Sequence, residues 1–343
     1  MKRPGHALGI LLGGVGIALT APAAAQSVES FYRSTPLTIT VGSGAGGGYD
    51  VYTRVLARTL PKHIPGQPHV VVQNMPGAAG IKALNHIYSI APKDGSVIDA
   101  TYNTLPLDPL FGGQGGKYDA RKLSWIGSIG KQVNVCIAWG KSSFKTFDDV
   151  FERQMTLASS GAAGWRSILP RMMNAIAGTK FKVIDGYETS GMFPAVERGE
   201  VDGMCTTHET LQATAADWLA NKRIVFLAQF GLKPIPDLVG VPMGLERIRD
   251  PHDLEAVKLV LLQQEFGRPY VAPPALPPER LAALRAGFDA TMTDPTFLAD
   301  ARKAGLNVDP ITGAEIEVLL KEAFSAPQET IARARTILDR ASK

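Results

Sequence analysis

The sequence predicts an α/β protein of two lobes, each built on a mostly parallel sheet flanked by helices. Three observations support this prediction. The chain has 343 residues, which is more than one hydrophobic core usually organises. Strand-like and helix-like segments alternate in two separate series, as they do in α/β folds. Further strand-like segments stand between and after the two series, where two lobes would be joined.

The first series forms the start of the first lobe. Strands are predicted over 37–41, 70–73 and 97–102, with helices over 50–62 and 79–90 between them. This order predicts parallel strands joined by right-handed crossovers.

The second series begins at residue 155 and predicts the second lobe. Its predicted strands cover 155–158, 181–184, 201–206 and 224–228, and its helices cover 165–177, 192–198 and 208–220. The alternation again indicates an α/β unit.

The segments outside the two series suggest how the lobes are joined. Residues 125–139 alternate like one long strand, and residues 259–264 and 268–272 are also strand-like. The amphipathic helices of the tail are predicted over 279–294, 295–304, 313–325 and 328–342. Because the tail adds no new sheet, we expect it to pack on the first lobe.

The domain boundaries follow from these segments. Residues 26–128 and 266–343 are assigned to the first lobe, and residues 129–265 to the second. Residues 1–25 have the layout of a secretory signal, with a basic start, an apolar run and small residues before the expected cleavage after Ala25. An uncleaved anchor is the alternative, but the apolar run is shorter than the ~20 residues that span a bilayer. We therefore expect a periplasmic protein.

Charge and cysteine content narrow the class of protein. The 36 basic and 32 acidic residues are interspersed, so we expect no nucleic-acid partner. Cys136 and Cys205 are too few for a disulfide scaffold. If their strands are neighbours, an oxidising compartment permits a disulfide. Two buried free thiols are the favoured alternative.

Each lobe opens with a strand, a loop of small residues and a helix start. The first loop lies in residues 42–50 (GSGAGGGYD) and the second in residues 159–165 (SSGAAGW). Such a loop exposes backbone N–H groups at the positive end of a helix, and glycine lets a ligand approach them. Two such loops on facing lobes predict one anion held from both sides.

The first loop also fits another motif. Gly42, Gly44 and Gly47 match the G-x-G-x-x-G of dinucleotide sites. The acidic residue expected after the second strand is missing, since Gln73 and Asn74 stand there. We therefore predict no cofactor. A glycine-rich turn that only allows tight packing remains open.

Catalytic and metal-binding motifs are absent from the sequence. No serine has glycine at both the second preceding and second following positions, and no H-E-x-x-H occurs. Neither loop contains Cys, Lys or His as a base or nucleophile. The sequence predicts a binding protein without a metal, rather than an enzyme. A secreted hydrolase or isomerase of organic acids, or a periplasmic sensor or interaction module, remains an alternative.

Several segments together carry a family resemblance. They are the run from Gly46 to Asp50, residues 70–80 (VVVQNMPGAAG), residues 91–95 (APKDG), residues 199–202 (GEVD) and the tail over 269–306. In these segments the chain resembles the Bug-type extracytoplasmic receptors of tripartite tricarboxylate transporters. The resemblance implies a clamshell of the periplasmic-binding-protein type (type II-like, a Venus flytrap). It also implies a small organic acid as ligand and membrane permease subunits as partners. We expect a monomer.

The resemblance also places the ligand site. The implied binding residues are Gly46, Gly47, Gly48 and Asp50 in the first loop, Ser159, Ser160 and Gly161 in the second, Thr189 and Ser190 on a turn facing the cleft, and Asp202 close to it.

Three further candidates depart from the family's pattern. Tyr49 replaces a smaller residue, and Trp165 and Arg166 stand where small residues and then His are common. The two aromatic rings either favour a ligand with a flat face or pack on their own helices. Arg166 either turns outward or reaches into the cleft to bind a second carboxylate.

Overall fold

The computed structural model describes Met1 and residues 27–113, 115–161, 164–187 and 189–342, with the backbone alone at residues 189 and 190. Apart from Met1, the predicted signal lies outside the described residues. Within those residues, no helix has both the length and the apolar character needed to cross a membrane.

The strands of the described residues form two sheets. They are β1 (Leu37–Val41), β2 (Val70–Asn74), β3 (Val97–Ala100), β4 (Ser124–Ser128), β5 (Asn134–Trp139), β6 (Met155–Ala158), β7 (Phe181–Ile184), β8 (Gly203–Thr207), β9 (Ile224–Phe230), β10 (Pro269–Ala272) and β11 (Ile311–Thr312).

Helices flank both sheets. They are α1 (Val28–Ser34), α2 (Gly48–Thr59), α3 (Ile81–Ser89), α4 (Asp149–Glu152), α5 (Trp165–Ala177), α6 (Thr189–Glu197), α7 (His208–Thr214), α8 (Ala216–Ala220), α9 (Pro251–Leu261), α10 (Pro278–Thr293), α11 (Pro295–Lys303), α12 (Gly313–Phe324) and α13 (Gln328–Ala341).

The two-lobed α/β architecture is confirmed, but the sheets are mixed rather than mostly parallel. The first sheet has the order β11-β4-β10-β3-β1-β2, and the second has the order β7-β6-β8-β5-β9. In the first sheet β1 pairs in parallel with β2 and β3, while β10 pairs antiparallel with β3 and β4. In the second, β6 is parallel to β7 and β8, and β5 is antiparallel to β8 and β9. β5 and β10 each follow a crossing from the other lobe. Each is antiparallel to both of its neighbours in the sheet.

The segment predicted as one strand over 125–139 is two strands, because the chain leaves the first sheet between them. Residues 129–133 connect β4 to β5 and lie beside the returning segment. Gln132 N donates to Gln264 O at 2.9 Å. A Cβ on Gly267 would lie only 1.5 Å from Gly130 O, so glycine is required at this close approach.

The strand predicted over 259–264 is wrong. Residues 259–261 end helix α9, and Leu262–Gln264 continue it as a 3-10 turn. The helix begins with Pro251 at its first position and with Asp250, whose side chain accepts from His252 N at 2.8 Å. The sequence of a short apolar run looks the same whether the run forms a buried strand or part of a buried helix.

The last helix also differs from the prediction. Helices α10 and α12 pack on β4 in the first lobe, but α13 packs on α5 and α9 of the second. Ala334, Ile337 and Ala341 are buried in the core that contains those helices. Arg333 pairs with Asp253 at 2.7 Å. The apolar face of α13 therefore forms a third connection between the lobes.

The two cysteines form a disulfide, so the favoured expectation of free thiols is wrong. Cys136 on β5 lies directly opposite Cys205 on β8. Their Cα atoms are 4.0 Å apart, and both side chains are buried. A directly opposed antiparallel pair brings side chains this close.

Candidate functional site

A cavity of about 260 Å³ lies between the two lobes. Its walls come from the starts of α2 and α5, the segments that follow β3 and β8, and the segments that cross between the lobes. The residues that line it are Tyr49, Tyr102, Asn103, Thr104, Gln132, Asn134, Ser160, Gly164, Trp165, Arg166, Thr206, Thr207, Thr210, Gln263, Gln264 and Arg268. The carboxyl ends of strands in an α/β sheet are the usual place for a ligand.

The described parts of the two small-residue loops share one backbone hydrogen bond. Gly47 N donates to Gly44 O at 3.3 Å, and Gly164 N donates to Gly161 O at 3.0 Å. Gly47 and Gly164 are extended and precede α2 and α5 directly. The first N–H groups of each helix have no intrahelical partner and lie at its positive end. Both loops are therefore suited to an anion.

Tyr49 points away from its own helix and into the cleft. Its hydroxyl donates to Asn103 Oδ1 at 3.1 Å and accepts from Asn103 N at 3.0 Å. Its ring centroid lies 4.4 Å from that of Tyr102 and 4.5 Å from Arg268 Cζ. The alternative in which Tyr49 packs only on its own helix is wrong.

Arg166 reaches the cleft from the second lobe. Its Nη2 donates to Thr206 Oγ1 at 3.3 Å, and its Nε is buried without a hydrogen-bond partner. No salt bridge of the described residues includes it, and burial lowers the pKa of its guanidinium. The outward orientation is therefore wrong. Beside it, the indole Nε1 of Trp165 is also buried without a partner.

Arg268 is the functional candidate that sequence reasoning missed. It ends the second crossing segment, directly before β10, and lines the same cavity. Its Nη1 donates to Gly267 O at 3.2 Å, and its Nε has no partner. When the side-chain amide of Gln132 is flipped, its oxygen accepts a hydrogen bond from Arg268 Nη2 at 2.9 Å. The available signal was a charged residue at the start of the apolar, strand-like segment over 268–272.

Acidic groups are missing from the cavity wall within the described part of the chain. Glu209 on α7 accepts from Val133 N at 3.4 Å and is not among the residues that line the cavity. Burial raises the pKa of Glu209, although the charge of Arg268 opposes this. The described residues also contain no group of three or more His, Cys, Asp or Glu arranged to hold a metal ion. The cavity therefore offers hydrogen-bond donors and positive charge.

Known proteins share sequence with part of this chain. No family model matches it. A UPF0065 protein of Bordetella bronchiseptica is 31% identical over 182 residues, and a UPF0065 protein of Agrobacterium vitis is 28% identical over 225 residues. These alignments cover 51% and 59% of this chain, and the chain spans 52% and 60% of the length of those relatives.

Solved structures share the fold over nearly their whole length. A TctC solute-binding protein from Polaromonas has a TM-score of 0.67 at 16% identity, covering 90% of this chain and 99% of that chain. The periplasmic binding protein BugD has a TM-score of 0.60 at 19% identity, covering 90% and 98%. The fold is that of the TctC and Bug solute-binding proteins. MatC from Rhodopseudomonas palustris, with bound malate, has a TM-score of 0.59 at 16% identity, covering 89% and 99%.

In this fold, Asp50 supports the first loop rather than lining the cavity. Its carboxylate accepts from Gly46 N at 2.8 Å, from Asn74 Nδ2 at 2.8 Å and from Arg54 Nε at 2.9 Å. It is 2% exposed. The hydrogen bond from Arg54 lowers the pKa of Asp50 to about 2. The oxygens of Asp50 are therefore already engaged, and a ligand role for this carboxylate is wrong.

In the second loop, too, some of the predicted site residues line the cavity and others support the loop. Ser160 lines the cavity, but Ser159 is fully buried beneath the loop. Ser167 Oγ lies 2.5 Å from Ser159 Oγ and 2.5 Å from Asp185 Oδ1. Gly161 O accepts from Gly164 N. Ser159 and Gly161 therefore shape the loop, as Gly46 and Gly47 do in the first lobe.

Asp202 is a correction to the predicted site. Its Oδ2 accepts from Thr156 N at 2.8 Å and from Thr156 Oγ1 at 2.6 Å. It precedes β8, whereas the cavity lies beyond the carboxyl end of that strand. The residue is therefore at the opposite edge of the sheet. Thr189 and Ser190 begin α6, and because only their backbone is described, their role stays a prediction.

Proposed function

We propose that this protein is a receptor that captures a small organic carboxylate. The observation that carries the proposal is the pair Arg166 and Arg268. Both line one cavity, Arg166 at the start of α5 in the second lobe and Arg268 at the end of the crossing segment beside the first. Neither has a salt bridge to a carboxylate of the described residues. A ligand carboxylate supplies the missing partner to both walls.

The energetics favour an anion bound between the lobes. A buried guanidinium without an anionic partner is costly, and a bidentate carboxylate offsets that cost with two charge-assisted hydrogen bonds. The free N–H groups that begin α2 and α5 add donors on each side. An anion that contacts both lobes binds the closed arrangement better than the open one, so binding favours closure.

Capture fits the cavity better than catalysis. The lining residues of the described chain supply amides, hydroxyls and guanidinium groups, without a carboxylate or a histidine that could transfer a proton. The shared fold and the malate bound to MatC support an organic acid as ligand. We infer a periplasmic, monomeric receptor that delivers its acid to membrane permease subunits of a tripartite transporter.

Calorimetry on the purified protein tests the proposal. The panel contains malate, adipate, citrate, benzoate and the benzene dicarboxylates, with glucose and lysine as uncharged and cationic comparisons. We expect at least one acid to bind, and Arg166→Gln and Arg268→Gln each to weaken it at least tenfold. A ligand at 100 times its Kd adds about 2.7 kcal/mol to the free energy of unfolding, which a thermal shift detects.

The matched control is Arg302→Gln, which removes an arginine from the exposed surface of α11. Its affinity should equal that of the unaltered protein. If no acid of the panel binds, or if all three variants bind equally well, the receptor proposal is wrong.

A further inference from the structure

Three N–H donors of residues that line the cavity are buried, with almost no accessible surface, and lack a hydrogen-bond partner. They are Trp165 Nε1, Arg166 Nε and Arg268 Nε. Indole and guanidinium groups donate and cannot accept, so only an acceptor can satisfy them. Trp165 and Arg166 belong to the second lobe, whereas Arg268 lies against Tyr49 of the first. An occupant that contacts both guanidinium groups therefore presents acceptor oxygens towards both lobes.

The acceptors of the cavity wall are largely in use. Gln264 Oε1 accepts from Asn134 N at 2.9 Å, and Asn103 Oδ1 accepts from the Tyr49 hydroxyl at 3.1 Å. No carboxylate of the described residues lines the cavity to balance an ammonium group. An amino acid or an amine is therefore a poor occupant, and a doubly anionic acid is a good one.

The cavity is lined by aromatic residues of both lobes. Tyr49 and Tyr102 form a ring pair on the first lobe, and Trp165 faces the cavity from the second. Ring pairs prefer offset or edge-to-face contacts and stabilise a flat apolar group between them. A hydrated aliphatic chain gains less from such walls. Tyr49 and Trp165 are two of the positions at which the sequence departs from the family that it resembles.

The size of the cavity agrees with a ring that carries two carboxylates. A dry cavity of about 150 Å³ holds benzene, so about 260 Å³ holds roughly ten to twelve non-hydrogen atoms. A benzene ring with two carboxylates has about that number.

The geometry points to an aromatic dicarboxylate as the ligand. Its ring lies between Tyr102 and Trp165. One carboxylate binds Arg268, and the other accepts from Arg166 and from Trp165 Nε1. This inference rests on the proposed function, because it names the class of acid that the receptor captures.

Calorimetry with matched probes tests each part. Benzene-1,2-, 1,3- and 1,4-dicarboxylate are compared with benzoate, which has the ring and one carboxylate, and with adipate, which has two carboxylates and no ring. We expect one benzene dicarboxylate to bind at least tenfold more tightly than benzoate and than adipate.

Variants of the second lobe test the assigned contacts with the best benzene dicarboxylate. Trp165→Phe keeps a ring and removes the N–H donor, and we expect a three- to tenfold loss. Arg166→Lys keeps the charge and removes the planar fork, and we expect at least a tenfold loss. Neither change should weaken benzoate more than threefold if benzoate binds at Arg268. Arg302→Gln again serves as the control.

The outcomes separate this inference from the proposed function. If adipate or malate binds more tightly than every benzene dicarboxylate, the receptor proposal stands and the aromatic ligand is wrong. If benzoate equals the best dicarboxylate, the second carboxylate contact is wrong. If no acid binds, both proposals fail.

Discussion

The carboxylate of Asp50 accepts a hydrogen bond from the backbone N of Gly46, four residues earlier, at 2.8 Å. This bond closes the first loop on the start of α2, and Arg54 and Asn74 hold the same carboxylate from the other side. A residue that the sequence suggested as a ligand contact thus fixes the shape of the loop that we propose as part of the ligand site.

The first prediction concerns Asp50→Asn and its pH dependence. The pKa of Asp50 is lowered to about 2, so its stabilising effect is complete above the unfolded value of 3.8 and is lost as the pH falls towards 2. We expect the variant to lose about 2 kcal/mol of unfolding free energy at pH 7. Denaturant titrations from pH 2 to 7 measure this difference, which should vanish at the acid end.

A surface carboxylate provides the control for that experiment. Asp339→Asn alters an exposed side chain of α13 and should leave the pH profile unchanged. An Asp50→Asn curve parallel to that of the unaltered protein over the whole range would contradict the assigned role.

The second prediction concerns access to the first loop. In Gly47→Val, the new Cβ would lie 3.2 Å from Gly44 O, and its methyl groups would stand beside the free N–H groups of α2. We expect acid binding to fall at least tenfold, as measured by calorimetry. Ala304→Val is the matched control, because it adds bulk at the exposed end of α11, away from both loops. Equal affinities for the two variants would remove the first loop from the site.

The third prediction concerns Asp99, a buried carboxyl that takes no part in the site. It lies 2.5 Å from Thr40 Oγ1 and is fully buried, and this burial raises its pKa to about 7. The protonated form is therefore favoured in the folded state. Its contribution to stability is complete below the unfolded value of 3.8 and is lost as the pH rises through 7.

We expect this change to lower the unfolding free energy by about 2 to 4 kcal/mol between pH 4 and 8. Asp99→Asn cannot ionise, so denaturant titrations should show that it lacks this loss. Asp339→Asn controls for the general effect of pH. A loss of the same size in Asp99→Asn would show that another group is responsible.

The sequence and the structure agree best where a local signal determines the structure. The helix predicted over 165–177 is observed with the same bounds, because Gly164 precedes it and Gly178 ends it in the left-handed region. The site was harder to predict. Arg166 was identifiable from its position after a small-residue loop, but Arg268 is distant in sequence from both loops. Only the pairing of β10 with β3 and β4 brings it to the cavity.

The same limit explains the errors at Asp202 and in the tail. Asp202 is close in sequence to the residues after β8, yet the length of that strand separates it from the cavity. The sequence pattern of α13 shows an apolar face but not which lobe that face packs on. The facing helices α5 and α9 determine that it packs on the second lobe. Such information is tertiary, and a periodic pattern in one segment does not contain it.

The last prediction concerns the Cys136–Cys205 disulfide. It joins β5 to β8, and both strands end at the cavity, with Asn134 at one end and Thr206 beside Cys205. Titration under denaturing, non-reducing conditions should find no free thiol. Reduction removes a cross-link between residues separated by 69 positions, so we expect the free energy of unfolding to fall by about 2–4 kcal/mol. The backbone ladder between the strands remains in place, so acid affinity should change less than threefold.

The control is the double variant Cys136→Ala with Cys205→Ala, measured with and without reductant. Its stability should not respond to reductant, so it separates loss of the cross-link from other effects of reduction. Two titratable thiols in the unaltered protein, or equal stability with and without reductant, would show that the bridge does not form.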